Sequence, residues 1–107
     1  MRRAFAALVV AWSITATSGG EAAAAGIDDC PALIVETFGE YAAIACAKAY
    51  CETGGTFDPY ATGAAGERGW FQIHPIHGAN SSYDPEVNVA YAFKLSRGGR
   101  DWSHWSC

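Results

Sequence analysis

Apolar and polar positions alternate with helical spacing in three parts of the chain. Around Leu33, Ile34, Val35 and Phe38 a short apolar run follows Pro31. A proline is well tolerated in the first helical turn, so this reads as a short helix running toward Phe38 and broken by Gly39. A second helix is predicted from Glu40 to Glu52. Tyr41, Ile44, Ala45 and Ala49 recur on one face, and three more residues along that face lies Glu52. Gly54-Gly55 is the stop signal. From Thr56 to Gly69 the chain is rich in Gly, Thr and Ala, which predicts a loop with at most a small hairpin. The last helix is the clearest. Asp84 is the N-cap, Pro85 the first helical residue, and Glu86 favours the positive end of the helix. Val87, Tyr91 and Leu95 share a face, and Gly98-Gly99 ends the element. The aromatic tail Trp102 to Cys107 is expected to fold back onto the core.

The N-terminal pattern is of another kind. Arg2 and Arg3 precede an apolar stretch from Ala4 to Ala16, followed by small residues and an A-x-A site at Ala23-Ala24-Ala25. This reads as an export signal over residues 1–25, with the domain proper at 26–107. A cut after Ser18 and an uncleaved anchor are the alternatives. Without Arg2, Arg3 and Glu21, the seven basic and eleven acidic residues become five and ten, a net charge near −5. No basic stripe exists to neutralise phosphates and no cationic amphipathic helix to engage a bilayer, so neither nucleic acid nor, after cleavage, a membrane is expected as a partner. A monomer is expected.

A domain this small buries a limited share of its surface and often needs cross-links. Cys30, Cys46, Cys51 and Cys107 form an even set behind an export signal, which reads as two disulfides in an oxidising compartment. Three pairings are open. Cys46 with Cys51 is disfavoured if both lie on one helix. The spacing lacks the C-x-x-C of zinc sites. His74 and His77, spaced as His-Pro-Ile-His, lack the carboxylate of an H-E-x-x-H helix, and Pro75 breaks a helix there. No metal and no cofactor are expected.

Glu52 carries the chemistry. A carboxyl group emerging from an apolar helix face, at the negative end of the helix, is pushed toward its protonated form. A protonated acid near neutral pH suits protonation of a leaving oxygen. The plainer reading is a solvated helix-terminal Glu paired with Lys48.

Three motifs settle the weighting. Cys51-Glu52-Thr53-Gly54-Gly55, then Gly69-Trp70-Phe71-Gln72-Ile73, then Asp84-Pro85-Glu86-Val87-Asn88-Val89 resemble the successive motifs of small transglycosylase-like domains of the soluble lytic transglycosylase type. The ending Trp102-Ser103-His104-Trp105-Ser106-Cys107 is similar to that of resuscitation-promoting factors. The resemblance spans about Leu33 to Cys107. It implies an α+β, mostly α, lysozyme-like fold. It also implies cleavage of the β-1,4 bond between N-acetylmuramic acid and N-acetylglucosamine in peptidoglycan glycan strands, outside the cell. Glu52 is then the catalytic acid and later base, and Thr53, Gly69, Gln72 and Asn88 shape the cleft or bind sugar. Trp70 and Tyr83 are further expected substrate contacts; Tyr60 and Trp102 are the other aromatics able to stack on sugars. The disulfides expected are Cys51–Cys107 and Cys30–Cys46.

The chain departs from the family at three points. Thr53 stands in place of Ser, Trp70 replaces Leu or Ile, and the Tyr-Asn-Ala-Gly motif of larger transglycosylases is missing. Glu67, two residues before Gly69, matches the place of an Asp in c-type lysozymes. It is the candidate second carboxylate of a retaining lysozyme, or a loop acid neutralised by Arg68. A non-catalytic cell-wall-binding domain is the remaining alternative.

Overall fold

The computed structural model describes residues 27–107. The export signal expected over residues 1–25 lies outside them. Three α-helices carry the architecture: α1 (Ala32–Phe38), α2 (Ala42–Glu52) and α3 (Pro85–Leu95). Short 3-10 turns occupy Ile27–Asp29, Gly39–Tyr41 and Pro75–Asn80. The β component of the mostly helical fold is two isolated antiparallel bridges, Thr62 with Arg68 and Arg68 with Ile73. The expected hairpin is thus a turn-rich loop pinned at Arg68.

Helix α1 packs against both α2 and α3. Ala45 and Ala49 give α2 a flat, small-residue face, which lets α1 approach closely and bring Ile34 and Phe38 into the core. Val89 and Ala92 come from α3, and Phe57, Phe71 and Ile73 from the loop between α2 and α3. The α2 helix begins at Ala42, two residues later than the pattern predicts, because Gly39–Tyr41 forms a tighter 3-10 turn that feeds straight into it. At its other end the Gly55 amide donates to the Tyr50 carbonyl (2.7 Å), closing the helix immediately after Glu52.

Two helix faces differ from expectation. Ile44 is 44% exposed, and the buried stripe of α2 runs through Ala45, Cys46 and Ala49. On α3 the buried positions are Asn88, Val89 and Ala92, while Val87 is 36% exposed and Tyr91 and Leu95 are half-buried. The helix is turned by about one residue from the purely apolar face, because Asn88 and Ser96 are core residues whose polar atoms are all used inward. The Asp84 cap holds: its Oδ1 accepts from the Glu86 amide at 2.9 Å, with Pro85 next in line.

The tail folds back. Trp102 stacks on Phe71 (centroids 5.9 Å) and lies 5.6 Å from Phe38, and Trp105 donates its indole N–H to the Phe71 carbonyl at 2.8 Å. Both disulfides pair as expected. Cys30–Cys46 clips the entry segment to α2, and Cys51–Cys107 ties the tail to the residue beside Glu52.

Candidate active site

Glu52 is the last residue of α2, half-buried where the helix meets the tail and the loop. Its carboxyl is raised above the usual glutamate range. Burial is the largest cause. The Cys107 backbone N–H, hydrogen-bonded to the carboxyl, works against it, as does the nearby Lys48 ammonium; the charge of Glu67 adds to the rise. Lys48 is itself held, its Nζ donating to the Cys107 carbonyl. One backbone residue of the tail thus meets both the acid and its neighbouring cation, and the Cys51–Cys107 bond keeps it there.

Glu67 reaches the same region from the loop. Its Oε1 accepts from the Ala65 amide at 3.0 Å, an arrangement that holds the carboxylate in one orientation. Arg68 does not neutralise it. The Arg68 guanidinium lies over the Tyr83 ring, 5.4 Å from its centroid, and donates from Nη1 to the Ser81 carbonyl. Opposite Glu67 stands Gln72, whose Nε2 donates to the carbonyls of Ala61 (3.0 Å) and Gly69 (2.9 Å). Those two bonds leave the amide oxygen of Gln72 as its outward acceptor. A side chain on Gly63 would collide with both the Glu67 and Gln72 oxygens, so only glycine lets these two groups converge.

Several expected sugar contacts are turned into the protein. Thr53 is buried; its hydroxyl donates to the Ala49 carbonyl (2.8 Å) and accepts from the Phe57 amide (2.9 Å), folding the chain back over the end of α2. Asn88 is 0% exposed. Its Oδ1 accepts from the Phe71 amide, and its Nδ2 donates to the carbonyls of Arg68 and Ser82. With every polar atom satisfied and no surface, Asn88 holds the turn that carries Gln72 and does not face a ligand. Gly69 is buried against that amide: φ is +80°, and a Cβ would strike Asn88. Trp70 is half-buried, packed on the core with its indole N–H donating to the Phe57 carbonyl at 2.7 Å. These four residues shape the wall.

Tyr83 does remain near the surface, with its hydroxyl 2.6 Å from that of Thr62 and its ring 6.0 Å from Tyr60. Thr62 and the Cys107 backbone amide are the two contributors that the sequence concealed. A threonine in a Gly/Ala/Thr-rich loop carries no distinguishing pattern, and a backbone N–H carries none at all. His74 and His77 serve locally. The His74 Nδ1 accepts from the Ile76 amide, and the His77 Nδ1 pairs with the Tyr91 hydroxyl at 2.7 Å.

An acid raised by burial at a helix end, a second carboxylate whose charge acts on it, and a glutamine turn braced by a buried asparagine form the frame. A family profile described as a lysozyme-like domain matches residues 22–107. The chain belongs to the lysozyme-like domain family. Neither the curated proteins nor the solved structures returned a match. As a lysozyme-like domain the chain falls among peptidoglycan-acting glycosidases and transglycosylases. Among the described residues no helix is long and apolar enough to cross a membrane.

Proposed function

We propose that this lysozyme-like domain cleaves the bond between N-acetylmuramic acid and N-acetylglucosamine in peptidoglycan, with Glu52 as general acid and then base, after export to the cell wall. The observation that carries this is the setting of Glu52. Burial favours its neutral form, while the Cys107 amide and Lys48 keep the anion accessible once the proton has gone. The neutral carboxyl donates its proton to the bridging oxygen as the muramyl C1–O bond breaks. The substrate's own N-acetyl oxygen bonds to C1. The Glu52 carboxylate then takes the proton of the sugar's C6 hydroxyl, whose oxygen displaces the acetamido oxygen and closes a 1,6-anhydro ring. Atoms balance without added water, and Glu52 ends protonated as it began.

Glu67 supports a second reading, because its charge acts on Glu52. A retaining hydrolase uses two carboxylates about 5–5.5 Å apart, one as acid and one as nucleophile. Product analysis separates the two. Digestion of purified peptidoglycan followed by mass spectrometry is expected to give 1,6-anhydro ends, with Glu67→Ala retaining substantial activity. Ordinary reducing ends together with an inactive Glu67→Ala enzyme would assign the reaction to the two-acid route. Glu52→Gln is expected to lose on the order of 10²–10⁴-fold in either case, since both routes need the acid. Wall clearing by that variant near the wild-type rate would remove Glu52 from the chemistry, whereas a wild-type chain that binds the wall and releases no product would favour a wall-binding role.

A further inference from the structure

The four aromatics able to stack on sugars are not equivalent. Trp70 and Trp102 are packed onto the core and spend their indole N–H groups on the Phe57 and Gly99 carbonyls. Tyr60 is 72% exposed, although it is not loose. Its backbone N–H donates to Asp58 Oδ1 at 2.9 Å, and its ring leans on Tyr83 at 6.0 Å. Tyr83 is fixed on its other sides by the Thr62 hydroxyl and by the Arg68 guanidinium above its ring. Two rings, two hydroxyls and one cation thus form a braced surface patch. Thr62 adjoins Gly63, where Glu67 and Gln72 converge, so the patch lies beside the loop carboxylate.

Each part matches a chemical feature of a muramyl residue. An exposed tyrosine face carries negative charge density and attracts the C–H edges of a pyranose ring. The Thr62 and Tyr83 hydroxyls are bonded to each other, with Thr62 also near the Tyr60 carbonyl, and their remaining lone pairs can accept from sugar hydroxyls. Arg68 is exposed and spends one donor on Ser81, and no acidic side chain pairs with it among the described residues. Its remaining donors suit a carboxylate. In a domain with an excess of acidic residues and two carboxyls whose charges interact, such a cation compensates for the repulsion an acidic ligand would otherwise meet.

The geometry points to a saccharide subsite in which Tyr60 and Tyr83 hold a muramyl ring and Arg68 binds a carboxylate on its 3-O-lactyl substituent. The carboxylate belongs either to the lactyl group itself or to the peptide that extends it. This subsite rests on the glycan-cleaving reading and adds the requirement for an acidic glycan.

Titration calorimetry on Glu52→Gln protein tests it with three probes: neutral chitotetraose, an N-acetylglucosamine/N-acetylmuramic acid tetrasaccharide with free lactyl groups, and the same tetrasaccharide extended by L-alanyl-D-glutamate. Adding Tyr60→Ala is expected to weaken all three by about 3- to 10-fold, the size of one aromatic contact. Because Tyr60 is so exposed, the fold should be unaffected, which a circular dichroism melt verifies. Adding Arg68→Gln is expected to weaken only acidic probes, by about 5-fold or more, and to flatten their salt dependence. Arg68→Lys is expected to recover part of the loss. Sensitivity of both acidic probes assigns the lactyl carboxylate; sensitivity of the peptidyl probe alone assigns the peptide. Unchanged affinity in Tyr60→Ala, or equal weakening of neutral and acidic probes in Arg68→Gln, would overturn the subsite and leave the catalytic reading standing. Failure of the Glu52→Gln parent to bind any of the three would overturn both.

Discussion

The three helices and the loop between α2 and α3 share one core, but different forces hold them. The helices close on one another through Ile34, Phe38, Ala45, Ala49, Val89 and Ala92, and covalent bonds secure α2 at its middle and at its C-terminal end. The loop contributes Phe57, Phe71 and Ile73 to that core, yet its course is set by polar side chains bonding to backbone. Thr53 grips Phe57, Asn88 grips Phe71, Arg68 and Ser82, Gln72 grips Ala61 and Gly69, and Ser81 grips Ile73. Apolar packing is forgiving in detail, whereas a hydrogen bond fixes distance and direction. The division is between a packed body that carries the acid and a loop whose shape is set by hydrogen bonds.

The sharpest way to break this comparison is to cut the two cross-links separately. Cys51–Cys107 spans 56 positions and Cys30–Cys46 spans 16. By loop-closure entropy, removing the first should cost about 4 kcal/mol and the second about 3 kcal/mol. Urea unfolding of the paired Cys→Ala variants measures both. Activity should separate them further, because only the first bond holds the Cys107 amide against Glu52. A Cys51→Ala/Cys107→Ala enzyme as active per folded molecule as the Cys30→Ala/Cys46→Ala enzyme would show that the tail plays no part at the acid.

Asn88 probes the loop side. Asn88→Ala leaves the Phe71 amide and the Arg68 and Ser82 carbonyls without their partner and should cost about 2–3 kcal/mol. Hydrogen exchange should rise at residues 68–73 while α1 stays protected. A uniform rise across the helices would mean that the two parts do not differ as described.

The acid supplies a pH test. The raised Glu52 value means that the folded chain holds this proton more tightly than the unfolded chain, whose value is near 4.5. The stabilisation is present below about pH 4.5 and is lost as the pH rises through the folded-state value. Glu52→Gln, which never ionises, should therefore gain Tm relative to wild type near pH 7, and the gain should shrink toward pH 4. A Tm difference that does not change with pH would mean that the folded environment leaves the acid unshifted. The smallest effect is expected at Ile44, which is 44% exposed: Ile44→Ala should stay within about 0.5 kcal/mol of wild type.

The same division explains what the sequence disclosed. Helix ends were legible because their signals are local: Pro31 before α1, Asp84-Pro85 before α3, glycines after α2. The place of Glu52 at the end of α2 was legible because the helical face leads to it and Gly54-Gly55 stops the helix just after it. The inward roles of Thr53, Asn88 and Trp70 were not legible, nor was the contrast between half-buried Trp102 and exposed Tyr60. Which way such side chains turn depends on backbone groups far away in sequence, as Asn88 depends on Phe71. The displaced face of α3 has the same origin, since a periodicity count treats asparagine and serine as surface residues, and here Asn88 and Ser96 are buried.

The contact between Cys107 and Glu52 also has a consequence in time. A chain delivered from its N-terminus presents Glu52 while Trp102, Trp105 and Cys107 are still to come. Until they dock and the second disulfide closes, the acid lacks its amide partner. The glutamate is present from early on, but its surroundings are complete only when the tail arrives in an environment able to oxidise two thiols.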